Sequence, residues 1–190
     1  MLAGRSGRVV AVVTGDEWAD MASKTLAGEL QGTSWVLAQT ATLYVTSPEK
    51  LGPITVKGKM PAIEAAIDLA ALTLELLLQV DKFDAGNFLL NGPMRKLISD
   101  KLGAHARWLA GDTDVEIAGS HSLTATGDVT FGADVLSIPA TLDFALDGDD
   151  LSIDFAGRYI FPHVKLPLPG VPEVWDLPID LSGTLALRPA

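Results

Sequence analysis

Cysteine is absent from the 190 residues, which removes disulfides, thiolate nucleophiles and zinc-thiolate sites and leaves the redox compartment open. Positive charge is scarce. With 14 Lys and Arg against 24 Asp and Glu, the net charge of −10 repels phosphate backbones and anionic lipid surfaces alike, so nucleic acid is not an expected partner. Only 6% of the residues are aromatic. Nor is there a run of roughly 18 uncharged apolar residues of the kind a spanning helix needs. The longest candidate, Leu69 to Val80, is broken by Glu75 and Gln79 and stops at Asp81. At the N-terminus Arg5 and Arg8 precede Val9 to Val13, an apolar stretch shorter than a signal-peptide core, and it is not read as a signal. Apolar residues, by contrast, make up 48% of a chain long enough for one domain, so a great deal must be buried.

The strongest pattern is alternation with period two, because successive side chains of a strand face opposite sides of the sheet. Leu123, Ala125, Gly127, Val129 and Phe131 alternate with Ser122, Thr124, Thr126, Asp128 and Thr130. From Leu136 to Leu146 the even positions are apolar and the odd ones mostly polar. Asp147-Gly148-Asp149-Asp150 then supplies a hairpin turn, and Leu151, Ile153, Phe155, Gly157, Tyr159 and Phe161 resume the alternation. Val115 to Ile117 and Ile179 to Leu187 repeat it. In the first half Trp35 and Leu37, Leu43 and Val45, and Ile54, Val56 and Met60 read as strands. Ser47-Pro48 and Leu51-Gly52-Pro53 mark a loop, and Pro61 to Ala70 is taken as a further strand before Leu72 to Val80.

Two segments carry helix signals. Thr14 and Glu17 form a capping box ahead of a helix to Gln31 with Trp18, Met21, Leu26 and Leu30 on one face. Asn91 is the expected cap of a second helix that holds Pro93 in its first turn and stops at Gly103. The division is therefore an N-terminal strand and capped helix over 1–32, packed on or lidding a β domain over 33–190. Long strands joined by short turns coil and close, which favours a mainly-β, antiparallel barrel of eight to ten strands with two short helices over a sandwich. A spanning outer-membrane barrel would need aromatic girdles that the scattered aromatics do not supply.

An eight-stranded barrel is either filled by side chains or holds one ligand. Ala125, Gly127, Ala140, Gly157 and Gly183 would leave space if they point inward; alternatively they only permit bends or close contact between strands. The run Val80-Asp81-Lys82-Phe83-Asp84-Ala85-Gly86-Asn87 before a helix, and Gly127-Asp128-Val129-Thr130-Phe131-Gly132-Ala133-Asp134 leading into Ser137-Ile138-Pro139-Ala140, resemble the YceI-like family, with Gly58 as its early strand glycine. The likeness spans about Thr33 to Leu168. Asn91-Gly92-Pro93-Met94-Arg95 stands where the family has Arg-Asp-x-His-Leu. The resemblance implies a lipocalin-like barrel whose interior takes a long apolar chain such as a polyisoprenoid, in the periplasm or outside the cell. A native absence of export signal would instead imply the cytoplasm.

The expected function is thus sequestration or transport of an isoprenoid or other lipid-like molecule, with no cofactor, no metal and no transmembrane segment; a homodimer is compatible with it. Burying each CH₂ gains about 0.8 kcal/mol, so such a guest needs no charged contact. Expected ligand-binding residues are Trp35, Tyr44, Leu74, Leu76, Phe88, Phe131, Leu142, Phe144, Phe155, Arg158, Tyr159 and Trp175. Arg158 is weighed as an anchor for an anionic head group or as a solvated side chain. Phe161 to Pro178, rich in proline, is expected to be a flap or a crossover rather than a central strand.

Catalytic signatures are few. His105, His121 and His163 lack metal-ligand spacing, and Ser120-His121-Ser122 on one strand points to opposite faces, which a nucleophile-base pair cannot do. Asp143, Asp147, Asp149, Asp150 and Asp154 have no calcium-loop spacing. The alternative function is a cofactor-free cyclase or isomerase that folds an apolar substrate, with Trp35, Tyr44, Arg158 and Tyr159 lining its pocket.

Overall fold

The structure, a computed structural model, describes residues 30, 32–52, 54–117, 121–131, 133–147, 149–165 and 170–190. The N-terminal strand and capped helix expected over 1–32 lie outside these residues, apart from Leu30 and Gly32. Ten strands alternate with short turns: β1 (Ser34–Leu37), β2 (Ala41–Leu51), β3 (Ile54–Asp68), β4 (Thr73–Gln79), β5 (His105–Ala110), β6 (Val115–Ile117), β7 (Ser122–Phe131), β8 (Asp134–Asp147), β9 (Asp150–Val164) and β10 (Val174–Pro189). One helix, α1 (Phe88–Leu102), separates β4 from β5.

The ring runs β2-β3-β4-β5-β7-β8-β9-β10 and returns to β2, every neighbour antiparallel, which makes a closed eight-stranded barrel. Two of its staves are made of two pieces. β1 and β2 lie end to end between β10 and β3: Trp35 faces Pro189 and Ile67, and beyond the break at Ala38–Thr40, Leu43 faces Met60. β5 and β6 follow one another along β7, interrupted by a 3-10 turn at Asp112–Asp114. The expected Asp147–Asp150 hairpin is present, with those two residues paired.

Alternation left open which face is inside. In the barrel it is the apolar one: Leu123, Ala125 and Val129, Leu142 and Phe144, Leu151, Ile153 and Phe155 are buried, while Thr126, Asp128 and Thr130 on the same β7 are exposed. A barrel that spans a bilayer has the reverse arrangement. Ser47 is the only buried polar residue among those described.

Several boundaries differ from expectation for reasons of pairing. Pro61 does not start a new strand; β3 passes straight through it, because β4 stops there, pairing Leu78 with Ala62, and no hydrogen-bonded rung is lost on that side. β2 likewise runs through Ser47-Pro48 as far as Leu51, with an irregular register between Thr46 and Lys50, so most of the expected loop is strand. The stretch from Phe161 to Pro178 is neither flap nor crossover throughout. β9 extends to Val164 and β10 starts at Val174, with Pro178 opposite Ile160; proline fits because this two-stranded ribbon has no third neighbour before Asp180 meets Thr46. Residues 166–169 lie outside the described part. Helix α1 is capped by Asn87, whose side chain accepts from the Leu89 amide, and not by Asn91. Asn91 sits inside the helix and its side chain ties down the loop before it, donating to Asp84 and accepting from the Ala85 amide.

The chain direction sorts the connections onto two ends. One, the hairpin end, holds the β3–β4 and β8–β9 turns, Ser34 and Pro189. The other, the helix end, holds α1, the β2–β3 and β7–β8 turns and the β9–β10 ribbon.

Candidate functional site

The interior was the expected ligand chamber, and its small residues are the place to test that. A methyl group at Gly127 would lie 2.1 Å from the Trp108 indole, one at Gly58 would lie 2.2 Å from the Phe83 ring, and one at Gly183 would meet Leu43 at 2.6 Å. These glycines are therefore notches that receive large side chains, Trp108 and Leu43 from neighbouring strands and Phe83 from the segment after β4, and the room they make is used. Trp108 reaches from β5 across β7, donates its indole N–H to the Ile138 carbonyl on β8 at 3.0 Å, and meets Phe155 edge to face at 5.5 Å. That carbonyl lies just beyond the last β8–β9 rung, Ala140 to Gly157, so a side chain supplies its donor.

Leu43, Leu123 and Ile153 have no accessible surface at all. A side chain lining a water-sized hollow keeps some, so the barrel is packed around these positions. The expectation that the small residues open a cavity is corrected: in this state they close one.

The two ends are finished differently. At the hairpin end Trp35, Leu151 and Leu187 are buried, Leu30 packs against the same core, and the Trp35 indole donates to Thr33. At the helix end Tyr159 and Phe161 stack edge to face at 4.9 Å but are only half-buried, as are Ile54, Leu136 and Leu181. Helix α1 lies between the start of β3, where Leu90 and Met94 line a small gap with Ile54 and Val56, and β5 and β7, and has no fully buried residue. The anchor of this cap is Phe83, fully buried in the Gly58 notch. Its loop is fastened by a two-way backbone bridge between Asp84 and Lys59 (2.8 and 2.9 Å) and by Arg95, whose Nε donates to the Phe83 carbonyl. The Gly86 amide and the Asn91 side chain, with Lys59 and Arg95 nearby, hold the Asp84 carboxyl below its ordinary range.

The expected ligand-binding residues divide accordingly. Trp35, Leu74, Leu76, Leu142, Phe144 and Phe155 are buried inside, and Tyr159 stands at the helix end of the same wall. Tyr44, Phe88 and Trp175 are exposed and do not reach the interior. Phe131 ends β7 opposite Asp134. Arg158 is solvated on the outer face, in a two-pronged pair with Asp180 (2.5 and 3.0 Å) whose carboxyl it holds below the ordinary range. The cyclase pocket is thus not assembled, since Tyr44 and Arg158 face away from Trp35 and Tyr159. Trp108 and Phe83 went unrecognised as wall residues; the alternation Ala106, Trp108, Ala110 was the available signal for the first. Arg158 and Asp180 also line an open depression of about 700 Å³, together with Thr113, Asp114, Ala125, Ala140 and Gly157.

No family model matches this sequence, and no curated protein does. Among solved structures, Burkholderia cenocepacia BcnA superposes with a TM-score of 0.56 at 14% identity, covering 77% of this chain and 95% of that one. The fold is YceI-like. A polyisoprenoid binding domain from Saccharophagus degradans implicated in plant cell wall breakdown gives a TM-score of 0.49 at 11% identity, covering 83% and 99%. At these identities the likeness is one of architecture.

Proposed function

We propose that the protein binds a long apolar molecule, an isoprenoid or similar lipid, inside the barrel, and that the guest passes through the helix end. The observation that carries this reading is the difference between the two finishes of one apolar interior. One end is buried and closed, the other is shut by a helix with no buried residue and a single inserted ring, Phe83. The wall offers a guest nothing but apolar surface, and each CH₂ moved out of water contributes about 0.8 kcal/mol toward displacing the side chains that fill the space when it is absent. The sequence resemblance points to the same ligand class. Phe83 and Trp108 are then the gate and the filler: they occupy the volume until a guest replaces them.

The test has two arms. Organic extracts of the purified protein, analysed by mass spectrometry, should contain a stoichiometric lipid. Titration with a conjugated polyene fatty acid should quench Trp108 by energy transfer and saturate. Phe83→Ala, which removes the gate, should lose about 3 kcal/mol of stability and yet bind the polyene more tightly. Absence of both co-purified lipid and saturable binding, in the parent and in Phe83→Ala, would refute the reading.

A further inference from the structure

Exposed large apolar side chains are not scattered over this barrel. Of the eight among the described residues, Phe88 (83% exposed), Leu89, Val135, Ile160 and Trp175 (67%) all belong to the helix end. They come from three separate segments: the first turn of α1, the strand after the β7–β8 turn, and the β9–β10 ribbon. Trp175 is held in place by its stack on His163 at 4.3 Å, and His163 is held in turn by Glu173. Large apolar side chains left exposed together in this way mark an interaction surface.

The charge is sorted along the same axis. Glu64, Asp68, Asp143, Asp147, Asp149 and Asp150 stand at the hairpin end, with Arg107 and Arg188 as the cations on that side among the described residues. At the helix end Lys50, Lys57, Lys82, Lys96, Lys101 and Lys165 offset the local carboxylates. The net charge of −10 therefore describes one pole of the molecule rather than all of it. A body with one acidic pole and one neutral, lysine-bearing, apolar pole is oriented by a negatively charged plane, with the acidic pole pushed outward.

We propose that the helix end is a docking face for an anionic phospholipid bilayer, with Phe88, Leu89 and Trp175 entering the interfacial layer and the surrounding lysines facing the head groups. A tryptophan beside aliphatic side chains and lysines is the composition that the water–lipid boundary favours. This rests on the carrier reading, since the docked end is the one through which an apolar guest passes, and docking spares that guest a journey through water.

Co-flotation of the full chain with phosphatidylcholine vesicles, with and without phosphatidylglycerol, tests it. Binding to the anionic vesicles is expected, weakened by salt, and Trp175 should shift to the blue and be quenched by brominated lipid, a signal absent in Trp175→Phe. Phe88→Ser/Leu89→Ser/Trp175→Ser, all at exposed positions, should lower the partition coefficient by about tenfold or more. Lys96→Glu/Lys101→Glu should lower it independently by removing the electrostatic part. No partition at low salt, or partition unchanged by both variants, overturns the proposal. So does a dimer in sedimentation that the triple substitution dissociates, because a second copy would then be the occupant. Polyene binding measured without vesicles separates the outcomes: if it persists while vesicle binding fails, the docking proposal falls and the carrier reading stands.

Discussion

The two ends of this barrel are built from the same alternating strands and yet are held together by different means. At the hairpin end closure is a matter of packing. Leu123, Leu151, Ile153 and Leu187 have almost no accessible surface, and the strands are joined by tight turns such as Asp147–Asp150. At the helix end closure is a matter of fastening, in which one ring is pushed into a glycine notch and secured by Asn91, Arg95 and the Lys59–Asp84 bridge, beneath a helix that contributes half-buried side chains. Segments with few buried apolar contacts open locally at a lower free energy than the packed core. The difference teaches that one barrel can finish its two ends by different means, packing at one and fastening at the other, without any change of strand pattern.

The comparison can be broken at its middle first. Gly127→Val places a branched side chain where the Trp108 indole lies, and should cost about 4 kcal/mol in urea denaturation, or prevent folding; Trp108→Leu in the same chain should return a large part of that. Next in size is a contrast between ends. Ile153→Ala should cost about 3 kcal/mol, and Phe161→Ala, half-buried on the same strand, about 1 kcal/mol; equal costs would mean that the ends do not differ in packing. Asn87→Ala removes the helix cap and should cost about 1 kcal/mol, with faster amide exchange confined to α1 and its preceding loop.

The smallest effect is that of acid. The Asp84 carboxyl lies below its ordinary value of 3.8, first through the Gly86 amide and then through Asn91, and Glu173 lies below 4.5 through Lys165 and then His163. A carboxyl lowered in the folded state stabilises fully above its unfolded value and ceases to as pH falls through the folded one. No loosening from these groups is therefore expected between pH 7 and 5. Below pH 3.8 the helix end should open first, seen as exchange at α1 and a change in Trp175 emission while Trp35 stays unchanged. Simultaneous change at both tryptophans would remove the distinction.

Much of the strand content was legible because alternation is a local property: β7, β8 and β9 and the turn between the last two are visible in the spacing of Leu, Ile, Phe and Asp alone. What a small residue is for was not, since Gly127 shows only that one strand is thin there, and the side chain that fills the gap comes from β5, 19 positions earlier. Prolines misled for a related reason. Pro61 and Pro178 forbid a rung on one side, and whether a neighbour exists on that side is decided by where β4 ends and where β2 begins to pair. Among the expected ligand-binding residues, those with polar neighbours on both sides, such as Leu74 and Leu142, turned inward, whereas Phe88 and Trp175 had no such frame and are at the surface.

The way the ring joins has a consequence for how the chain is made. β10 completes the circle by lying between β9 and the β1–β2 stave, with the Ala190 amide on the Ser34 carbonyl at 2.9 Å. During synthesis every earlier strand must wait, its oily side uncovered, until β10 emerges from the ribosome. In a chain of this topology the interior is thus sealed only once the sixteen residues of β10 are available to pair on both sides.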